Sequence, residues 1–143
     1  MTIAKIIEDR LGNDIIACDC ATPVAEAVQM LAGKRIGALP VLRNGKIAGI
    51  ISERDIIYRL ADHGAKCLEM PVEEIMTSPA ITVEPSTKID DALALMSRRR
   101  FRHFPVVEDG ALVAFISIGD LVKNKIDEVE GEAEALRSYI QTV

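Results

Sequence analysis

A serine followed three residues later by an aspartate occurs twice in this chain, each time directly after an apolar run. The pairs are Ser52 with Asp55 and Ser117 with Asp120. A helix that begins at the serine would place free backbone N–H groups and the positive end of its dipole there, which favours an anion. The aspartate would lie in the first helical turn, where its oxygens could accept hydrogen bonds from two vicinal hydroxyls. A ribose carries such a pair.

Helix capping is the simpler explanation of each pair when it is taken alone. Serine is a favoured N-cap residue, and an acidic residue in the first turn stabilises a helix without any ligand. The residue types therefore leave both interpretations open, and the choice between them depends on what surrounds the pairs.

The surroundings are a tandem repeat. Residues 16–56 align without a gap with residues 81–121, and Pro40 and Gly45 recur as Pro105 and Gly110. The segments before the two prolines differ. Gly37 and Ala38 in the first copy are small enough for a planar group to approach the backbone, whereas Arg102 and His103 in the second could meet phosphates. Internal repetition predicts two structural half-units.

Each half-unit is predicted to contain a strand, a helix, a hairpin and a second helix. Asn44-Gly45 and Asp109-Gly110 are typical of two-residue hairpin turns, because both residues tolerate positive φ. We expect an α+β fold of two β-α-β-β-α repeats about a pseudo-two-fold axis. The predicted divisions are 1–64 with an N-terminal helix, 65–122, and a helical extension over 123–143.

The last helix is predicted to continue to about residue 141 with apolar residues at heptad spacing. The spacing, typical of a coiled-coil seam, is set by Val122, Ile126, Val129, Ala133, Leu136 and Ile140. A helix that leaves a small domain needs a partner for this seam. We expect a homodimer; the alternative is that the helix folds back on its own domain.

Composition excludes several function classes. The chain has 143 residues and a net charge of −5, which argues against nucleic acid as the main partner. No apolar run approaches the length of a membrane span and no signal peptide precedes the domain, so we expect a cytoplasmic protein. Three cysteines and two histidines do not form a metal-ligand pattern, and no nucleophile or phosphate-loop motif indicates an enzyme.

The pattern as a whole resembles a pair of CBS domains, the module named after cystathionine β-synthase and also called a Bateman module. The resemblance lies in Ile81-Thr82-Val83-Glu84-Pro85, in Arg102 to Val107, in Gly110 and in Ser117-x-x-Asp120, together with their first-copy counterparts. It is similar to the stand-alone tandem CBS-domain proteins of bacteria.

The resemblance implies that adenosyl ligands bind in clefts between the two repeats. Asp55 and Asp120 would hold ribose hydroxyls beside Ser52 and Ser117, and Arg102 and His103 match positions that meet phosphate. The cleft around Asp120 would be closed by Ala17, Ile36 and Gly37. The cleft around Asp55 would be closed by Thr77, Ile81 and Thr82, with Arg54 as a nearby cation.

The function expected from the resemblance is that of a non-catalytic sensor. It would bind AMP, ADP, ATP, NAD(H) or S-adenosylmethionine, require no cofactor and no metal, and report to an unidentified regulated protein. The alternative is a structural dimerisation scaffold whose clefts stay empty. We further expect Arg98, Arg99 and Arg100 to form the solvated end of a helix.

Overall fold

The computed structural model describes residues 1–8, 10 and 15–141. A short helix, α1 (Ile3–Glu8), precedes two halves of similar element order. The elements of the first half are β1 (Cys18–Asp19), α2 (Val24–Lys34), β2 (Ala38–Arg43), β3 (Lys46–Ser52) and α3 (Glu53–His63). The second half contains α4 (Ile89–Arg99), β4 (His103–Glu108), β5 (Ala111–Ser117) and α5 (Ile118–Gln141), and two 3-10 helices, Gly64–Glu69 and Val72–Glu74, connect the halves.

The two hairpins are near copies of one another, which confirms the repeat. Ala38 pairs with Ser52 in the first hairpin, and His103 pairs with Ser117 in the second. The register shifts after Val41 in one and after Val106 in the other, which is the same place in the repeat. Both predicted turns have two successive residues at positive φ, 53° and 79° in the first and 51° and 80° in the second.

The halves differ at the strand that should open each repeat. In the first, β1 pairs in parallel with β2, and the backbone N–H of Cys20 extends the pairing by donating to the carbonyl of Leu42 at 3.0 Å. The second has only an isolated parallel bridge between Val83 and Val106. Its residue equivalent to Cys20 is Pro85, which has no N–H to donate, so the ladder cannot extend.

Each half buries its own apolar core, and the segment that leads into each half packs on the core of the other half. Ile3 and Ile6 of α1 are buried in the core of the second half, although the sequence prediction grouped α1 with the first repeat. Conversely, Val72 and Ile75 of the connecting segment pack into the first core. The divisions at residues 64 and 122 stay predictions, but the contacts of α1 follow the second half.

Helix α5 runs without interruption from the second hairpin to Gln141 and is the longest element described. Leu121 is fully buried, whereas the predicted heptad seam that begins at Val122 faces outward: Val122 is 40% exposed and Leu136 is 60% exposed. An ion pair of 2.9 Å between Lys125 and Asp90 ties the first part of α5 to α4. Across the described ranges, no helix has both the length and the apolar character that a membrane span requires.

Candidate functional site

The first Ser-x-x-Asp pair forms a capping box at the start of α3. The Ser52 side chain accepts a hydrogen bond from the Asp55 backbone N–H at 3.3 Å. In return, Asp55 Oδ2 accepts from the backbone N–H and the hydroxyl of Ser52, each at 2.9 Å. The structural interpretation of this pair is therefore correct, but it uses only one of the two carboxylate oxygens.

The other oxygen of Asp55 contacts a residue that is distant in sequence. Asp55 Oδ1 accepts a hydrogen bond of 3.1 Å from the Thr77 hydroxyl. Thr77 is held in place by two backbone hydrogen bonds with Ile50 on β3, of 2.8 and 3.0 Å. The aspartate at the mouth of the first repeat thus contacts the segment that leads into the second repeat.

Around this contact lies an open cleft of about 820 Å³ between the halves. Nine of the fourteen residues that the sequence singled out line it: Gly37, Ala38, Ser52, Arg54, Asp55, Thr77, Ile81, Arg102 and His103. Five are not among its lining residues: Ala17, Ile36, Thr82, Ser117 and Asp120. We refer to it as the Asp55 cleft. Its volume is within the range of small-molecule sites.

The sequence assigned Gly37 and Thr82 to one cleft each. Gly37, which was expected beside Asp120, lines the Asp55 cleft, where its carbonyl accepts a hydrogen bond of 3.0 Å from the backbone N–H of Glu53, the first residue of α3. Thr82, which was expected to close the Asp55 cleft, is not among its lining residues, whereas Pro79, Ala80 and Ile81 are.

Arginines from both halves surround the Asp55 cleft. Arg54 comes from the first half, whereas Arg99, Arg100 and Arg102 come from the second. Arg99 and Arg100 were expected at the solvated end of a helix, and they are exposed at the end of α4 as well as lining the cleft. Arg100 ends α4 in a left-handed conformation, with φ of 58°, so the chain reverses there and brings both side chains to the cleft beside Arg102. The repeat could have indicated this reversal of the chain. Arg35 is the first-half equivalent of Arg100, and it also has a positive φ, of 54°.

His103 is a half-buried member of the cleft wall. Its ring stacks on Phe115 at 5.4 Å between centroids, with 9° between the planes. Burial lowers the pKa of His103, and the positive charge of Arg102 lowers it further, while Asp120 and Glu53 act in the opposite direction. The imidazole is therefore neutral at neutral pH, and the arginines supply the positive charge of this cleft.

An apolar wall completes the cleft, and most of it was missed from the sequence. Its members are Ile50, Ile57, Tyr58, Pro79, Ala80, Ile81 and Phe101. Ile57 and Tyr58 are 60% and 63% exposed, so they present apolar surface at the cleft. The cleft thus combines a carboxylate acceptor, several cationic side chains and an apolar surface. That combination suits a ligand with hydroxyls, an anionic group and a flat apolar part.

The second Ser-x-x-Asp pair repeats the capping geometry but not its surroundings. Asp120 Oδ2 accepts from the Ser117 backbone N–H at 2.8 Å and from the Ser117 hydroxyl at 3.0 Å. The outer oxygen, Asp120 Oδ1, forms an ion pair with the guanidinium of Arg10. The same guanidinium donates to the carbonyl of Phe115 at 3.2 Å. Arg10 was not predicted as a site residue from the sequence, because it lies outside the aligned repeat.

The cysteines are not among the residues that line the Asp55 cleft. Cys18, Cys20 and Cys67 are free thiols, all buried. Burial raises the pKa of Cys18 to about 11, with further contributions from Cys20 and from the nearby carboxylates of Asp19 and Glu26. Within residues 1–8, 10 and 15–141, no three His, Cys, Asp or Glu side chains are grouped as metal ligands would be.

Comparison with known proteins shows two matches to one family. The sequence profile described as "CBS domain" matches residues 7–62 and residues 72–127. A mitochondrial CBS domain-containing protein of Arabidopsis thaliana, CBSX3, is 36% identical over 129 residues, which cover 87% of this chain and 63% of that protein. A solved protein with CBS domains from Burkholderia ambifaria MC40-6 is 40% identical with a TM-score of 0.82, and the alignment covers 89% of this chain and 95% of that one.

Two further solved structures of similar fold contain ligands. The CBS domain pair of a protein designated MJ0100 was solved with 5-methylthioadenosine and S-adenosyl-L-methionine; it is 26% identical, with a TM-score of 0.76 over 90% of this chain and 98% of that one. CBSX2 was solved with AMP; it is 25% identical, with a TM-score of 0.72 over 88% of this chain and 96% of that one. Each of these ligands contains an adenosine unit.

Proposed function

This chain belongs to the CBS domain family, and from that membership we propose that it is a non-catalytic regulatory module that binds an adenosyl ligand. The site is the Asp55 cleft. The observation that carries the proposal is the position of Asp55, which caps α3 with one oxygen and presents the other at the cleft between the halves. The adenosyl ligands of MJ0100 and CBSX2 support the same class.

The chemistry of the cleft suggests how such a ligand would lie. Its ribose hydroxyls would donate to Asp55, where the Thr77 hydroxyl shares the outer oxygen. Its phosphates would lie toward Arg99, Arg100 and Arg102, because a phosphate taken out of water needs charged donors. Its adenine would pack on the apolar wall. AMP, ATP and NAD(H) all carry these three parts, whereas S-adenosylmethionine lacks the phosphate.

A second site around Asp120 and Ser117, bordered by Ala17 and Ile36, stays a prediction from the repeat. So does the cytoplasmic location. We further propose that the protein is a homodimer joined through the exposed seam of α5 and that ligand binding is reported through α5 to an unidentified regulated protein. This part rests on the length of α5 and on its outward-facing apolar residues.

The competing function is a scaffold whose clefts remain empty. The two functions differ in one measurable property, since a scaffold releases no heat with any adenosyl compound. Isothermal titration of the full chain with AMP, ATP, NADH and S-adenosylmethionine separates them. We expect saturable binding of at least one of the four. Absence of heat with all four would remove the sensor and leave the scaffold.

Variants of Asp55 connect the binding to the cleft. Asp55→Ala removes a charged acceptor, and such hydrogen bonds contribute roughly 1.5–3 kcal/mol, so we expect affinity to fall about tenfold to a hundredfold. Asp62→Ala is the matched control, because Asp62 is an exposed aspartate on the same helix outside the lining. Thermal unfolding of both variants verifies that they are folded at the titration temperature. Equal affinity of both variants and the wild type would exclude Asp55 from the site.

A further inference from the structure

We infer that Arg10 makes the two repeats unequal in ligand binding: by pairing with Asp120, it makes the Asp120 site bind an adenosyl ligand more weakly than the Asp55 cleft. The inference rests on the proposed function, since it concerns how ligand is divided between the two repeats. It assigns a specificity-determining role to a residue outside the repeat, on the side of the molecule where α1 packs.

The two aspartates share their capping contacts. In each, Oδ2 accepts two hydrogen bonds from the serine that precedes its helix, at 2.9 and 2.9 Å for Asp55 and at 2.8 and 3.0 Å for Asp120. The capping geometry is therefore the same in both repeats. The capping contacts therefore do not distinguish the sites, and the outer oxygen, Oδ1, is the one that capping leaves available to a ligand.

The outer oxygens have partners of different chemistry. Asp55 Oδ1 accepts from the neutral hydroxyl of Thr77, which can turn about its Cβ–O bond and share the oxygen with a ligand. Asp120 Oδ1 pairs with the guanidinium of Arg10. A hydrogen bond between two charged groups is roughly twice as strong as one between neutral groups. A ribose that binds Asp120 must compete with that stronger contact.

Arg10 is held at this position from two sides. Its guanidinium also donates to the carbonyl of Phe115 on β5 at 3.2 Å, and its backbone N–H donates to the carbonyl of Ile7 at 2.8 Å. Ile7 belongs to α1, whose Ile3 and Ile6 are buried in the second core. The side chains of Arg10 and Asp120 are only 35% and 25% exposed, so water screens the pair less than it screens a surface pair.

Ligand should therefore fill the two repeats in order. The Asp55 cleft binds first, and the Asp120 site fills only at higher concentration, because part of the binding free energy is spent on displacing Arg10. Because the competitor at Asp120 is charged and the one at Asp55 is neutral, the ligand Kd should be about tenfold higher at the Asp120 site. At low ligand concentration the protein then binds one ligand per chain.

Titration of the full chain with AMP, and in parallel with S-adenosylmethionine, tests the inference. The wild type should show one tight site and one site about tenfold weaker. Asp55→Ala should remove the tight site, and Asp120→Ala should remove the weak one. Arg10→Gln removes the charge and should strengthen the weak site about tenfold, while leaving the tight site unchanged. Lys5→Gln is the matched control, since it removes one exposed positive charge from the same end of the chain.

The outcomes separate this inference from the proposed function. Two equal sites in the wild type would overturn the inference while supporting adenosyl binding. A weak site that is unchanged in Arg10→Gln would also overturn it, and a weakened one would mean that Arg10 contacts the ligand rather than competing with it. If Arg10→Gln is less stable, Arg10→Lys keeps the charge with fewer donors and should give an intermediate affinity. Absence of binding in every variant would overturn the proposed function itself, and the inference with it.

Discussion

At the scale of single residues, a carboxylate can cap a helix and serve a ligand site at once because its two oxygens are separate acceptors. Asp55 shows the division: Oδ2 bonds to Ser52 at the start of α3, and Oδ1 is oriented to the cleft and to Thr77. Capping and binding are therefore not competing explanations of a Ser-x-x-Asp pair. The partner of the outer oxygen decides what the pair can do, and that partner comes from a distant part of the chain.

The half-buried histidine of the cleft, His103, predicts a dependence of stability on pH. Burial lowers the pKa of His103 in the folded protein below the value near 6.5 that it has when unfolded. The unfolded state therefore takes up a proton first as the pH falls. The contribution of His103 to the free energy of unfolding is complete above pH 6.5 and is lost as the pH falls from there toward the folded pKa.

The measurement is thermal unfolding between pH 8 and pH 5.5 of the wild type and of His103→Gln, which cannot titrate. We expect the melting temperature of the wild type to fall more steeply over this range. An NMR titration of the imidazole signal that disappears in His103→Gln should give a pKa below 6.5. A value above 6.5, or identical slopes for both proteins, would show that burial does not control this residue.

The thiols should be unreactive in the folded protein. Cys67 is fully buried, Cys18 and Cys20 are 7% and 6% exposed, and the pKa of Cys18 is raised to about 11. Because the thiolate is the reactive form, an aromatic disulfide reagent at pH 8 should modify fewer than one thiol per chain within minutes. All three should react after unfolding in guanidinium chloride. Rapid reaction of the native protein would mean that the first core opens readily.

At the scale of elements, the local parts of the fold were predictable because they depend on neighbouring residues. Asn44-Gly45 and Asp109-Gly110 make their hairpins through their own φ values, and Ser52 caps α3 through its own side chain. The exchange of the leading segments, by contrast, depends on contacts between residues far apart in sequence. The ion pair of Arg10 with Asp120 was missed for the same reason.

One glycine shows how closely two elements approach beside the Asp55 cleft. A Cβ at Gly49 of β3 would lie 2.7 Å from the Thr77 carbonyl oxygen and 2.7 Å from Met76 Sδ. Gly49→Ala should therefore push the Thr77 segment away from β3, lower the free energy of unfolding by about 1–3 kcal/mol and weaken ligand binding at Asp55. Gly33→Ala on α2 is the control, since its Cβ meets nothing within 4 Å and alanine favours a helix.

Chemical denaturation and AMP titration of the two glycine variants give the comparison. Gly33→Ala should be as stable as the wild type or more stable by up to about 1 kcal/mol, with unchanged binding. If Gly49→Ala behaved in the same way, the close approach of Thr77 to β3 would not be required for the site.

At the scale of the whole molecule, the leading segments tie the two halves together. α1 packs on the second half, where Ile3 N–H donates to the Thr87 carbonyl at 2.9 Å. The connecting segment packs on the first half, where Val72 N–H donates to the Thr22 carbonyl at 2.8 Å. A change in the angle between the halves therefore has to move these segments too. One of them carries Thr77 and the other precedes Arg10, so both aspartates are connected to the packing of the halves.

The seam of α5 supports a prediction about assembly. Ile126 and Val129 are each 50% exposed, and Leu136 and Ile140 are 60% and 64% exposed, all at the heptad spacing of a helix that packs on another helix. A second copy of the chain would cover them. We expect sedimentation of the wild type to give about twice the chain mass of 15.6 kDa.

Charges placed in the seam should abolish this assembly. Val129→Glu with Leu136→Glu puts unpaired carboxylates between the helices, and because each costs several kcal/mol to bury, the dimer Kd should rise about a hundredfold or more. Gly131→Glu with Ser138→Glu adds the same charge on the opposite side of the helix and should leave the dimer intact. If the seam variant sedimented as the wild-type dimer, the subunits would associate through another surface. If the wild type itself sedimented as a monomer, the long helix would be free to receive the regulated protein directly.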